Sequence, residues 1–134
     1  MKKIILMLFA TLSISGCAGV GVAAVGAVMY YKSQSHEVAS VDIEAPAQNV
    51  YQAAIDIVTK NPNIMIVNQD DALKMLDLSQ NGKSGSIKIS AINVKLSKLT
   101  ITSDTTDENE ITPVSGILKI CEDLNVKCEL SKPI

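Results

Sequence analysis

The pattern of hydrophobic and polar residues divides the chain into an uncharged, apolar N-terminal run and a longer patterned part. No charged residue occurs in residues 4–31. From residue 37 onward, runs that are hydrophobic at every second position alternate with runs at a spacing of three and four. Their order is strand, helix, four strands and helix, with a last strand as an option. The pattern therefore predicts an α+β domain over residues 37–134, in which two helices pack on one face of an antiparallel sheet of four to six strands.

Local signals bound the two predicted helices. Pro46 suits a first helical turn, where its missing N–H costs nothing, and Asn61-Pro62 ends the helix because a residue before proline avoids the α conformation. Thr112-Pro113 predicts an N-cap followed by proline at the first helical position. The apolar positions at helical spacing are Val50, Ala54, Ile57 and Val58 in the first helix, and Val114, Ile117, Leu118, Cys121 and Leu124 in the second.

The sequence patterns predict the positions of the strands, their turns and their degree of burial. Residues 64–67 form a continuous apolar run, which indicates a buried strand. Asn81-Gly82 predicts a hairpin turn, and a change of apolar phase predicts a bulge near Ala91-Ile92. The strands are predicted at 38–44, 64–67, 73–79, 86–96 and 98–102, with Val126, Cys128 and Leu130 alternating on the optional last one.

The first 16 residues have the three-part layout of a secretory signal. Met1-Lys2-Lys3 is a short positive region, Ile4 to Leu12 is apolar, and Ser13 to Gly16 offers small residues. Ile14-Ser15-Gly16-Cys17 resembles the lipobox of bacterial lipoproteins. The resemblance implies cleavage before Cys17, lipid on Cys17 as the membrane anchor, and residues 1–16 as the signal peptide.

The residue after the lipobox cysteine indicates which membrane would hold the protein. The resemblance implies that an Asp there would favour retention in the inner membrane, whereas Ala18 favours the periplasmic side of the outer membrane. The alternative is an uncleaved transmembrane helix, because residues 4–31 are long enough to span a bilayer. Its glycines and serines make it a poor helix.

Residues 17–36 are predicted to be a lipidated Gly/Ala-rich tether and linker. Residues 18–28 contain only Gly, Ala and Val, and Tyr30 and Tyr31 suit a membrane boundary. The polar linker covers residues 32–36. A self-associating helix of small residues is the alternative for the apolar part.

Two further segments resemble a family of small bacterial lipoproteins of unknown function. The first is the run EAPAQNVYQA at residues 44–53, and the second is Asp71-Ala72-Leu73. The resemblance covers most of the chain after the signal. It implies no activity and no functional residues, because the family has none established.

Cys121 and Cys128 are predicted to point toward one core. Three alternatives stay open: a disulfide, two buried thiols, or a redox pair. Secretion would place them where disulfides persist. A turn near Asn125 would bring them together, since seven residues of helix would hold them about 10 Å apart. The short C-x-x-C spacing of redox pairs is absent.

Composition argues against several classes of function. The chain has a formal net charge of −2. All twelve of its basic residues are lysines, so nucleic-acid binding is not expected. The only histidine, His36, has no identifiable partner, and no enzyme, cofactor or metal is expected. The acidic loop at Asp104, Asp107, Glu108 and Glu110 could ligate calcium, but it lacks the spacing of a known calcium loop and is interpreted as solvated.

These observations favour a non-enzymatic binding or assembly module that is anchored through Cys17 and meets envelope proteins in the periplasm. The uncovered sheet face would be its contact surface, with Lys88, Lys95, Lys98, Thr100 and Thr102. The alternative is a carrier of a lipid or small apolar ligand in a pocket between the helices and the sheet.

Overall fold

The computed structural model describes residues 25–104, 106–107 and 109–131. Within these residues the chain forms seven strands and two helices. The elements are β1 (Ala27–Lys32), β2 (His36–Ile43), α1 (Ala47–Lys60), β3 (Ile64–Asp70), β4 (Met75–Gln80), β5 (Lys83–Asn93), β6 (Leu96–Asp104), α2 (Pro113–Asp123) and β7 (Glu129–Leu130).

The strands form one mixed sheet in the order β3-β4-β5-β6-β2-β1-β7. Neighbouring strands are antiparallel except for β1 and β7, which are parallel. The predicted α+β class is confirmed. The described sheet has seven strands, more than the predicted four to six, and its last pair departs from the predicted antiparallel arrangement.

Strand β1 accounts for part of this difference, because it lies inside the predicted tether and linker at residues 17–36. Met29 pairs with Ser40 of β2, and Val28 is fully buried. The isolated bridge between Val25 and Asp42 extends the contact by two further residues. The folded domain therefore begins before residue 37, where the sequence pattern placed its start. Residues 1–24 are outside the described part, including the predicted signal peptide and Cys17.

Gly26 permits the close contact between β1 and the C-terminal segment. Its φ angle is +80°, and an added Cβ would lie 2.5 Å from the carbonyl oxygen of Lys127. The Gly26 carbonyl accepts a hydrogen bond of 2.9 Å from the Glu129 N–H. A side chain at residue 26 would disrupt this pairing, because both the conformation and the space require glycine.

The core lies between one face of the sheet and the two helices. Alternation places Leu99 and Ile101 of β6 on this face, where they belong to the same buried cluster as Ile117 of α2. Tyr51 of α1 is the aromatic side chain of the core, and its hydroxyl donates a 2.6 Å hydrogen bond to Asp71. Burial and the neighbouring carboxylate raise the pKa of Tyr51 to about 12.

The local signals for turns and caps are confirmed, except that Pro46 is the N-cap residue directly before α1 and not part of its first turn. Thr112 caps α2 by accepting the Ser115 N–H, and Pro113 is the first helical residue. Asn81 and Gly82 both have positive φ, as the tight hairpin between β4 and β5 requires. The register of β5 against β6 shifts between Ala91 and Asn93, where the bulge was predicted.

Three strand predictions differ from the structure. β3 was predicted to be buried, but it is an edge strand with Met65 and Val67 exposed, so its apolar run does not mark burial on both faces. β4 begins at Met75 because residues 71–74 form a turn. The run from residue 92 to 96 is interrupted by the turn at Val94-Lys95.

Candidate functional site

The sheet face opposite the helices carries the predicted contact surface. Lys88 and Lys98 are exposed on this face, while Thr100 and Thr102 are half-buried between neighbouring strands. Lys88 pairs with Thr100 and Ser90 with Lys98, so these side chains form one continuous strip across β5 and β6. Lys95 lies in the hairpin turn at the end of the strip rather than on the face.

An apolar cavity of about 60 Å³ lies between the helices and strands β4, β5 and β6. Ile57 and Val58 line it from α1, Ile87 and Ile101 from the sheet, and Ile120 from α2. This volume is enough for several water-sized molecules. It is well below the roughly 300–1,000 Å³ that is typical of ligand pockets.

Gly116→Ala should stabilise the protein by about 0.5–1 kcal/mol, because glycine inside a helix costs about that much relative to alanine. The new Cβ would lie 3.1 Å from Cδ1 of Ile101. That side-chain end borders the cavity and has room to move away. Urea denaturation of both proteins measures the difference.

Gly85→Ala is the matched control. Its Cβ would lie 3.2 Å from the Thr102 carbonyl oxygen, which belongs to the backbone of the neighbouring strand and cannot easily move. This variant should therefore gain nothing or lose stability. A loss of stability in Gly116→Ala would show that Ile101 is held in place and that the cavity does not yield.

Glu37 is a buried carboxylate that joins three parts of the chain. Its exposed fraction is 2%, although it lies at the start of β2 beside the predicted linker. Oε1 accepts a 2.8 Å hydrogen bond from the Tyr30 hydroxyl of β1, and Oε2 accepts the N–H and the hydroxyl of Thr106 at 2.9 and 2.5 Å. Lys32 Nζ lies 3.7 Å from Oε1. Burial opposes ionisation, but the hydrogen bonds from Thr106 and Tyr30, with the charge of Lys32, outweigh it and lower the pKa of Glu37.

The acidic loop is tied to the hairpin between β4 and β5. Lys83 Nζ lies 2.7 Å from Glu110 Oε1 and 3.2 Å from Asp107 Oδ2. The Gln80 side chain makes two hydrogen bonds with the backbone of Ile111. The interpretation as a solvated loop holds for Asp107 but is wrong for Glu110, whose side chain is only 4% exposed. Lys83 and the Asp107 N–H lower the pKa of Glu110.

Cys121 and Cys128 form a disulfide, so the first of the three alternatives is confirmed. Their Cα atoms are 6.1 Å apart. Asn125 adopts a positive φ after α2, and the Val126 N–H bonds to the Cys121 carbonyl. This Schellman arrangement reverses the chain, which brings the second cysteine back to the first.

The remaining predicted site residues lie apart from one another. His36 opens β2, with Nδ1 3.6 Å from Asp104 Oδ1. Cys17 and Glu108 are outside the described residues. Among the residues that are described, no group of three or more His, Cys, Asp or Glu side chains could hold a metal ion. In the same part of the chain, no helix has the length and hydropathy needed to cross a bilayer.

Two features were not predicted from the sequence. One is the buried carboxylate of Glu37, and the other is the pair of exposed aliphatic residues at the end of the β5–β6 hairpin, Ile92 and Val94. A signal existed for Glu37, since it shares the phase of Ala39 and Val41 on β2. Ile92 and Val94 were missed because the sequence pattern predicted one strand over residues 86–96 and did not locate the turn within it.

The solved structures include two that are similar to this chain at low identity. The Zhui aromatase/cyclase from Streptomyces sp. R1128 is 14% identical with a TM-score of 0.42, over 67% of this chain and 86% of that one. A conserved protein of unknown function from Enterococcus faecalis, EF2215, is 11% identical with a TM-score of 0.46, over 74% and 77%. No curated protein sequence matches this chain.

One family model matches most of the chain. Its description is "Protein of unknown function (DUF3568)", and the match covers residues 2–117 of the 134. The matched region runs from the second residue of the chain to the middle of α2. The chain therefore belongs to this family of proteins of unknown function, DUF3568.

Proposed function

We propose that the protein is an envelope lipoprotein, held by lipid on Cys17 to the periplasmic side of the outer membrane. Its α+β domain acts there as a non-enzymatic binding or assembly module. The lipobox Ile14–Cys17, directly after a positive and an apolar region, carries this proposal. The Cys121–Cys128 disulfide supports it, because structural disulfides persist in oxidising compartments such as the periplasm.

The placement of β1 is consistent with an anchor at Cys17. Only the seven residues 18–24 separate Cys17 from Val25, which already bridges to Asp42 in the sheet. More than one acyl chain gives stable attachment to a membrane. A lipid on Cys17 would therefore hold the domain close to the bilayer.

The anchor is tested by intact mass of the protein extracted from membranes. The expected mass is that of Cys17–Ile134 with three acyl chains, and reductant should add two hydrogen atoms for the disulfide. Cys17→Ala is the matched control, which should yield no acylated product. An unprocessed mass in the unaltered protein would instead favour a membrane span over residues 4–31.

The binding role is assigned to the sheet face with Lys88 and Lys98. Both side chains are exposed, and neither is covered by a described element. Reversing both charges to Glu should remove crosslinks between this protein and its envelope partners. Lys60→Glu, at the exposed end of α1, is the matched control. Unchanged crosslinks in the double variant would remove this face as the contact surface.

A carrier of a small apolar ligand is the second candidate function, and the cavity between the helices and the sheet favours it. At about 60 Å³ the cavity suits a short alkyl group rather than an acyl chain. Native mass spectrometry of the extracted protein tests this role. A bound apolar molecule that is lost in Gly116→Leu would support it, whereas a ligand-free mass would count against it.

A further inference from the structure

The hairpin between β5 and β6 ends in exposed aliphatic side chains. Val94 is 82% exposed and Ile92 is 49% exposed. Turns between strands usually present Gly, Asn, Asp or Pro at such positions. Here Asn93 already stabilises the turn, because its side chain accepts the Lys95 N–H at 2.8 Å. Ile92 and Val94 therefore contribute little to the fold, and their exposure calls for another explanation.

The hairpin end lies at the end of the sheet where the N-terminal segment joins it. Gly26 N–H bonds to the Asp42 carbonyl, Asp42 pairs with Lys98, and Lys98 pairs with Ser90. These residues form one row across β5, β6 and β2 to Gly26, which directly precedes β1. Beyond that row, β5 and β6 continue for about 10 Å to their turn. The turn thus extends past the row toward the end of the sheet at which β1 starts.

The length of chain before β1 limits the distance to the proposed anchor. Eight peptide steps separate Cys17 from Val25. Fully extended, they reach at most about 28 Å. A lipid on Cys17 would hold this end of the sheet near the bilayer surface, within reach of a hairpin that projects from it.

The charge of the hairpin complements an anionic surface. Residues 84–103 contain three lysines and no acidic residue, in a chain whose net charge is −2. Lys83 is not counted, because it is paired with Glu110 at the opposite end of the sheet. Lys95 lies beside the apolar tip. The acidic side chains at this end of the sheet are Asp42, opposite Lys98, exposed Glu44, Asp70, which accepts the Leu73 N–H, Asp71, which is bonded to Tyr51, and Glu129, 3.3 Å from Lys127. Leu73, in the neighbouring turn, adds a third exposed aliphatic side chain.

We infer that the tip of the β5–β6 hairpin inserts Ile92 and Val94 into the interface of an anionic bilayer, with Lys95 at the headgroups. The inference rests on the proposed lipid anchor at Cys17. Together, the anchor and the hairpin fix the domain with this end toward the membrane. The strip with Lys88 and Thr100 then stands away from the bilayer and is free for a partner.

Tryptophan placement tests the inference, since the chain contains no tryptophan. Val94→Trp places the probe at the tip. Ser35→Trp is the matched control, because Ser35 is exposed just before β2, at the end of the sheet opposite the hairpin tip. The eight-residue β2 alone spans about 26 Å. The full processed lipoprotein is reconstituted in vesicles of phosphatidylethanolamine and phosphatidylglycerol whose acyl chains carry bromine. Circular dichroism establishes that both variants are folded.

The expected result is several-fold stronger quenching at residue 94 than at residue 35, with a blue-shifted emission that appears only in vesicles. Equal, weak quenching of both variants that float with the vesicles would overturn the inference and leave the anchor intact. Equal, strong quenching would also overturn it, because the domain would then lie on its side. Failure to float would overturn the anchor and this inference together.

Discussion

Removing the Cys121–Cys128 disulfide should lower the free energy of unfolding by about 2–3 kcal/mol. The bridge closes a loop of about eight residues, and the chain-entropy model gives about 2.5 kcal/mol for a loop of that length. For a domain of this size the loss corresponds to a fall in Tm of about 10–15 °C. Cys121→Ala/Cys128→Ala is the variant to use, because Cys121 is 2% exposed and alanine adds no hydroxyl to the core. Thermal and urea denaturation measure the change.

The stability lost without the disulfide should be concentrated at the edge of the sheet formed by β7. β7 contains only Glu129 and Leu130, and it is held to β1 by hydrogen bonds from Glu129 and Ser131. Without the bridge to α2, these two amides should exchange with solvent much faster than the amide of Leu99 at the sheet centre. Reductant should reproduce the effect in the native protein and add nothing in the double variant. A native protein whose Tm is insensitive to reductant would contradict the prediction.

The features that were predicted correctly from the sequence depend on short stretches of chain. Thr112-Pro113, Asn61-Pro62 and Asn81-Gly82 act through the backbone conformations of one or two residues, so their outcomes are visible in the sequence itself. The disulfide falls in the same class. Its cysteines are seven residues apart, and a single turn at Asn125 decides whether they meet.

Strand β1 could not be predicted because no local pattern distinguishes it. Residues 27–31 continue the uncharged run, and residues 27–32 show no alternation of polar and apolar residues. Their extended conformation comes from pairing with β2 on one side and β7 on the other, which lies about a hundred residues away in sequence. Strand formation depends more on such neighbours than on intrinsic preference. The sequence therefore placed the domain boundary at residue 37.

The candidate site likewise has features that follow from the sequence and features that do not. The lysine strip on β5 and β6 follows from alternation, and the structure places Lys88 and Lys98 on one exposed face. The burial of Glu37 also follows from alternation, since residues 37, 39, 41 and 43 point to the core face. The partners of Glu37 could not be predicted from alternation. Thr106 is 69 residues away in sequence and lies beside Glu37 only because the strands pair in the sheet.

Glu37→Ala should lower the free energy of unfolding at neutral pH by about 3 kcal/mol. The substitution leaves the Thr106 N–H and hydroxyl without their acceptor, and hydrogen bonds to a charged group contribute about 1.5–3 kcal/mol each without being additive. It also separates β1 from the loop after β6, because the Tyr30 hydroxyl loses the same carboxylate. Urea denaturation measures the loss. Glu44→Ala, at an exposed position, should cost little and is the matched control.

The pH dependence of stability distinguishes the contribution of the Glu37 charge from the contribution of its packing. The pKa of Glu37 is lower in the folded protein than its ordinary value of 4.5, so the unfolded chain binds the proton more readily. The contribution of Glu37 is therefore fully present above pH 4.5 and is lost as the pH falls through the lower pKa of the folded state. The difference between the native protein and Glu37→Gln should shrink over that range, because the amide keeps an acceptor for Thr106 but cannot titrate. A difference that stayed constant as the pH fell below 4.5 would show that the packing of residue 37, and not its charge, joins β1 and β2 to the loop.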